Sequence, residues 1–157
     1  MSDTMTVAEY LAQQNKQGSK KGHPEHDEQV KVFEWAKIMQ SKIPELELLM
    51  AIPNGAYYGG HWSVANRMKE EGVRSGVPDI FLPVRRMDVE VGVVVNGQKQ
   101  ESFGKVWCGL WIEMKVGKNK PSEQQEWWLK KLGLQGYVTV VCYSAEEAIE
   151  QIQEYLS

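Results

Sequence analysis

The stretch Leu110-Trp111-Ile112-Glu113-Met114-Lys115-Val116 constrains the fold of this chain more than any other. Its large apolar residues mark a core strand, yet it carries two charges. Strand side chains alternate faces, so Glu113 and Lys115 share one face and Met114 points to the other. Charge among apolar neighbours is costly unless it is paired or binds an ion. A carboxylate and an ammonium are thus held side by side on a rigid element. Upstream, Gly76-Val77-Pro78-Asp79 leads into a second apolar run, Asp79 to Val84. A neighbouring strand there can bring Asp79 to Glu113. Two carboxylates can hold a hard cation such as Mg²⁺, and a lysine beside them can orient or deprotonate a water. Pro-Asp alone is ordinary turn chemistry, and Glu-x-Lys alone fits any half-exposed strand. On two core strands together, they read as a metal site.

A length of 157 residues suits one domain with a single core. The formal charge of −3 argues against a protein that coats nucleic acid everywhere. It leaves open a basic rim around an acidic site, so the clustering of Lys and Arg decides the matter. Cys108 and Cys142 lack a pairing motif and read as two buried thiols in strands. No apolar run is long enough to span a membrane. The N-terminus lacks the basic-then-apolar pattern of a secretory signal. The expected location is the cytoplasm of a bacterium or a phage-infected host cell.

Residues 1–23 read as a flexible basic arm, and residues 24–157 as the domain proper. The first firm helix is expected from Pro24 to Gln40, with Val32, Trp35, Ala36 and Met39 on one apolar face. Projected backwards at about 100° per residue, Glu25 falls near the centre of that face, with Gln29 beside it. Glu47 to Ile52 reads as a strand ended by Pro53-Asn54-Gly55, and Ser63 to Glu71 as a helix stopped by Gly72. Val89 to Phe103 reads as a hairpin turning at Asn96-Gly97, within an insertion over 88–104. Trp107 to Val116 is the third core strand. Ser122 opens a helix through Lys131, which Gly133 ends. Tyr137 to Tyr143 is a fourth strand, nearly all apolar and so expected to be buried on both faces. A capping box at Ser144-Ala-Glu-Glu147 opens the last helix, to about Tyr155. This order gives an α/β domain with a central mixed sheet of about four strands flanked by helices.

Ser122-x-x-Gln125 matches a capping box, and Gln125 can also face the strand carrying Lys115, to hold a water or steady the lysine. His23-x-x-His26 lacks the ligands for zinc and reads as a solvated helix start. Gly117-Lys118-Asn119-Lys120 lacks the spacing of a phosphate-binding P-loop. Basic clusters stand at Arg85-Arg86, Lys118 and Lys120, Lys130-Lys131, and Lys16, Lys20 and Lys21 in the arm. Several such clusters around one acidic pocket suit a phosphate backbone.

From Glu25 to Leu156 the chain resembles the VRR-NUC family (virus-type replication-repair nuclease), a branch of the PD-(D/E)XK nucleases. The residues that carry the resemblance are Glu25-x-x-x-Gln29, Ile52-Pro53-Asn54-Gly55 and Glu71-Gly72-Val73-Arg74-Ser75-Gly76-Val77-Pro78-Asp79-Ile80. Leu110-Trp111-Ile112-Glu113-Met114-Lys115, Ser122-Glu-Gln-Gln125-Glu-Trp127 and Gly136-Tyr137 complete it. The resemblance implies a restriction-endonuclease-like fold. It also implies that Asp79, Glu113 and the Met114 carbonyl bind Mg²⁺ or Mn²⁺. Lys115 is then assigned to the water or the transition-state charge, and Gln125 stands beside it. Glu25 completes the metal environment, with Glu28 as the competing helix acid. Lys118, Lys120, Arg85, Arg86, Lys20, Lys21 and Asn54 are the expected nucleic-acid contacts.

The implied activity is hydrolysis of phosphodiester bonds in DNA by in-line attack of an activated water. Small stand-alone members of the family resemble Holliday-junction resolvases, which implies branched DNA as substrate, a homodimer, and a setting in DNA repair or phage biology. The alternatives are a flap, nicking or restriction-like nuclease of phage or defence origin, and a non-catalytic nucleic-acid-binding module of the same fold. A metal-binding domain acting on a small molecule is the weakest. The interval from Asp79 to Glu113 is longer than a compact member needs, because of the hairpin.

Overall fold

The computed structural model describes residues 24–53, 62–87, 93–95, 98–100 and 105–157. The arm, with Lys20 and Lys21, and the turn at Asn54 lie outside the described residues, as do the flanks and turn of the hairpin. Helix α1 (Pro24–Met39) is followed by a short 3₁₀ turn (Pro44–Leu48) and strand β1 (Met50–Ala51). Helix α2 (Trp62–Glu70) and strands β2 (Ile80–Leu82) and β3 (Arg86–Met87) come next. Strands β4 (Val93–Val95), β5 (Gln98–Gln100), β6 (Val106–Trp107) and β7 (Leu110–Met114) follow. Helix α3 (Glu123–Leu134), strand β8 (Val138–Cys142) and helix α4 (Ala145–Leu156) complete the chain.

The central sheet runs β1–β2–β7–β8. β1 and β2 pair antiparallel, as do β2 and β7, whereas β7 and β8 are parallel. A parallel pair needs a crossover, and α3 supplies it. The mixed four-stranded sheet flanked by helices is the expected architecture.

Side-chain alternation sorts the two faces of the sheet. Ile80, Leu82, Leu110, Ile112, Met114 and Cys142 point to one face and pack with Val32, Trp35 and Ala36 of α1 and Ala148, Ile149 and Ile152 of α4. This is the hydrophobic core. The other face carries Phe81, Trp111 and Glu113, with Thr139 and Val141 in register beside them. Helix α3 covers it, with Gly133 near the Thr139 hydroxyl. Phe81 and Trp111 stack with ring centroids 4.1 Å apart, and Tyr137 sits edge-on to both.

Several boundaries differ from the sequence expectation for identifiable reasons. The strand expected over Glu47–Ile52 shrinks to Met50–Ala51, because Pro44 starts a 3₁₀ turn that takes up Glu47 and Leu48. The strand expected over Trp107–Val116 is interrupted at Cys108–Gly109. Its first part, β6, pairs with β3 in a separate two-stranded ribbon. Gly109 has φ +154°, and a side chain there would meet the Leu82 carbonyl and the Phe81 ring at 2.8 Å. Cys108 is therefore exposed rather than buried, while Cys142 is buried as expected. Helix α3 runs through Gly133, and Gly136 at φ +85° turns the chain instead. β8 is an edge strand whose residues are half-buried up to Cys142, so its apolar composition does not mean burial on both faces. β4 and β5 pair antiparallel with Val95 opposite Gln98, the register of a two-residue hairpin turn. No helix among the described residues is long and apolar enough to cross a membrane.

Candidate metal centre

The C-terminal end of β7 gathers the polar groups that the sequence singles out. β2 and β7 pair antiparallel with Ile80 opposite Ile112, which places Asp79, at the start of β2, beside Glu113 and Met114. The Asp79 carboxylate accepts from the Met114 N–H at 2.8 Å, and the Asp79 carbonyl accepts from the Ile52 N–H at 2.8 Å. Asp79 is thus fixed by both neighbouring strands.

Glu113 is fully buried. Its Oε1 accepts from the Lys115 ammonium at 2.6 Å and from the Gln125 amide. Its Oε2 is also buried, and no described donor reaches it. Lys115 Nζ donates as well to the Met114 carbonyl at 2.8 Å and lies 3.7 Å from Glu25 Oε1. Gathered there are Glu113, the Met114 carbonyl, Glu25 and, next to them, Asp79. Among the described residues no three His, Cys, Asp or Glu side chains converge as a ready-made metal cluster. The donor set is instead two adjacent carboxylates and a carbonyl. These are the hard oxygen ligands that suit Mg²⁺ or Mn²⁺ rather than zinc. The orphaned Glu113 Oε2 fits such an ion, because a buried carboxylate oxygen without a donor is costly unless a cation compensates it.

Burial pushes the Glu113 carboxyl up to about 7, and the nearby Asp79 charge adds to this, against the opposing pull of Lys115. Burial alone would lower the Lys115 ammonium. The hydrogen bond and charge of Glu113, with Glu25 and Asp79, outweigh it, so Lys115 is raised and stays charged. The Glu113 carboxyl is thus raised toward the neutral range. Metal binding must remove its proton. Affinity for Mn²⁺ is expected to rise by up to about tenfold per pH unit below pH 7 and to level off above it. Calorimetric titrations with Mn²⁺ across that range check this, and an affinity independent of pH would contradict it.

Gln125 serves two ends. Its Oε1 accepts from the Ser122 N–H at 2.9 Å while the Ser122 hydroxyl accepts from the Gln125 N–H, closing the capping box that starts α3. Its Nε2 donates to Glu113, so it reaches the carboxylate rather than Lys115. The two helix acids also separate. Glu28 pairs with Lys31 at 2.5 Å and accepts from the Ala145 N–H at 2.7 Å, stabilising the start of α4. Glu25 faces Lys115 and accepts from Asn119 Nδ2 at 3.5 Å. Glu25 is therefore the helix acid that lies beside Lys115.

The Asn119 contact holds the loop carrying Lys118 and Lys120 against the site, and both lysines are exposed. Arg85 and Arg86 lie past the opposite end of β2 from Asp79. Arg85 is exposed there, whereas Arg86 donates to the Leu156 carbonyl and lies 3.7 Å from Glu45. That guanidinium serves the docking of α4 and is distant from the carboxylates.

Sequence reasoning did not find what holds the segment before Asp79. Trp128 Nε1 donates to the Ser75 carbonyl at 3.1 Å, and the Ser75 hydroxyl donates to Gln124 Oε1 at 3.2 Å. Gly76, at φ +80°, presses on Gln124, where a side chain would come within 2.8 Å. The glycine ahead of Pro78-Asp79 is thus required by both its backbone and its neighbour. Trp128 stands one turn beyond Gln125, and that spacing is the only signal the sequence offers.

No protein-family model and no curated protein matches the chain. Among solved structures it is similar to a VRR_NUC domain protein, at 25% identity and a TM-score of 0.61, over 87% of this chain and 90% of that one.

Proposed function

We propose that this chain, a member of the VRR-NUC family by its fold and by the order of its site residues, is a Mg²⁺-dependent DNA endonuclease acting on branched DNA. The observation that carries this reading is the buried Glu113 with Oε2 undonated, next to Asp79 and hydrogen-bonded to Lys115. Asp79, Glu113 and the Met114 carbonyl would hold the ion, with Glu25 at its edge. When bound, a divalent cation would supply Lewis acidity and make a coordinated water more acidic. Gln125 fixes the Glu113 carboxylate, so that Oε2 is the oxygen left to the ion. Lys115, charged and hydrogen-bonded to Glu113, offers its ammonium to the negative charge that builds on a phosphate as the P–O bond breaks. Mn²⁺ is expected to substitute for Mg²⁺.

The loop with Lys118 and Lys120 supplies positive charge where a DNA backbone would approach the carboxylates. In this reading its role is to position, not to select sequence. Replacing both lysines by alanine is expected to weaken binding to every DNA tested and to flatten the log–log salt dependence by about two units. Fluorescence anisotropy across a salt series measures both. An unchanged slope would remove this loop from the interface.

A four-way junction has two-fold symmetry, and each chain offers one such site. Paired cuts therefore need a homodimer, with the two sites related by the same symmetry. The test is a cleavage panel of linear duplex, flap, nicked and four-way junction DNA with Mg²⁺, together with a mass measurement in solution. Paired, symmetric cuts in the junction by a dimer support the proposal. Cuts confined to flaps or nicks by a monomer would favour a flap or nicking nuclease built on the same chemistry.

A further inference from the structure

The first two turns of α3 touch both segments that carry the carboxylates, the stretch before Asp79 and strand β7. Gln124 and Trp128, one turn apart on the helix, grip Ser75 and Gly76, three to four residues before Asp79. Gln125, between them in sequence, reaches Glu113 on β7. The rest of the helix packs on the sheet through half-buried side chains and fully buries none. Such packing sets its axial position and rotation less sharply than a fully buried face would. Directional hydrogen bonds near its N-terminus sharpen both, and the Trp128 indole supplies one whose acceptor, a backbone carbonyl, cannot rotate away.

We propose that Trp128 is a positioning residue for the metal centre. By tethering α3 to Ser75 it sets the height and rotation at which Gln125 meets Glu113. It thereby fixes which Glu113 oxygen is left to the ion. Gln124 supports the same tether through the Ser75 hydroxyl and its contact with Gly76. Trp127, the adjacent indole, is exposed and sits edge-on to Trp128 with ring centroids 5.2 Å apart, a contact that a phenyl ring keeps, and the hydrogen bond to Ser75 comes from Trp128. The inference rests on the metal-centre assignment made above. It adds a residue that touches neither ion nor substrate, and it makes the helix a strut between the two strands that carry the carboxylates.

Trp128→Phe keeps the ring and removes the N–H. Partners that orient metal ligands are worth about ten- to a hundredfold in metal affinity. Mn²⁺ binding by calorimetry is therefore expected to weaken about fivefold to tenfold in Trp128→Phe, and at least as much in Gln125→Ala. Trp127→Phe should bind as wild type. The double variant Trp128→Phe/Gln125→Ala should be no worse than Gln125→Ala, because the indole acts through the amide. A merely structural role would give additive losses and a lowered melting temperature instead. Should Trp128→Phe fail to fold, Gln124→Ala carries the test, with a smaller loss in the same direction and the same absence of additivity. Wild-type Mn²⁺ affinity in Trp128→Phe, or losses that add to those of Gln125→Ala, would overturn the proposal while leaving the metal centre intact. Wild-type Mn²⁺ affinity in Asp79→Asn would overturn the metal centre itself, and this inference with it.

Discussion

Glu113→Gln is expected to lower Mg²⁺-dependent cleavage by about a thousandfold or more, while the protein stays folded and still binds DNA. The substitution keeps the size of the side chain and an oxygen for Lys115 and Gln125, and removes only the charge that an ion needs. Asp79→Asn should act in the same way, since an amide oxygen can still accept from the Met114 N–H. The stability of the metal-free protein provides an independent readout. A carboxyl whose pKa is higher folded than unfolded binds its proton more tightly in the native state. Between pH 4.5 and about 7 the native state therefore holds the extra proton, and stability falls as pH rises through that window. Glu113→Gln should remove that fall, so the variant melts at or above the wild-type temperature on the alkaline side. Thermal melts across pH check this, and cleavage at the wild-type rate by Glu113→Gln would show that the site is misassigned.

Lys115→Gln is expected to cost about a hundredfold to a thousandfold in cleavage rate with no loss of Mn²⁺ affinity. The ammonium lies within 2.8 Å of Glu113 Oε1 and the Met114 carbonyl, two oxygens that a cation would also seek. Removing it cannot deprive the ion of a ligand, and it relieves a competitor. What disappears is a fixed positive charge in a buried setting, where it is worth far more than in water. Glutamine retains a hydrogen-bond donor for Glu113, which limits the disturbance to the carboxylate. Losing the Lys115 charge raises the Glu113 carboxyl further, so single-turnover rates and calorimetry are compared on the alkaline plateau of each protein's own pH profile, where the carboxylate is ionised in both. A parallel loss of metal affinity and rate would make Lys115 a structural partner of Glu113 and nothing more.

The helices were largely legible in the sequence, because Val32, Trp35, Ala36 and Met39, and the caps at Ser122 and Ser144, are local signals. Strand limits were less so. A continuous apolar run from Trp107 to Val116 hides the break at Gly109, which exists only because Leu82 and Phe81 press on it from another strand. The apolar β8 looks central, yet sheet order makes it an edge. Within the site, alternation on one strand put Glu113 and Lys115 together, and strand pairing added Asp79. The helical stripe brings Glu25 and Glu28 alike toward the core side, and it is the engagement of Glu28 with Lys31 and α4 that leaves Glu25 to face Lys115. The capping-box spacing turns Gln125 toward the strand that carries Lys115, but its partner, Glu113, follows only from the register of α3 against β7. The tether from Trp128 to Ser75 spans 53 residues, and the sequence signals only the one-turn spacing of Trp128 from Gln125.

The most direct test of the central claim is cleavage of an end-labelled four-way junction during a Mg²⁺ titration, with wild type and Asp79→Asn side by side. The expected result is no cutting by wild type in chelator, cutting restored as Mg²⁺ is added, and none by Asp79→Asn at any Mg²⁺ concentration. Wild-type cutting that persists in chelator, or cutting by Asp79→Asn that keeps pace with wild type, would contradict it.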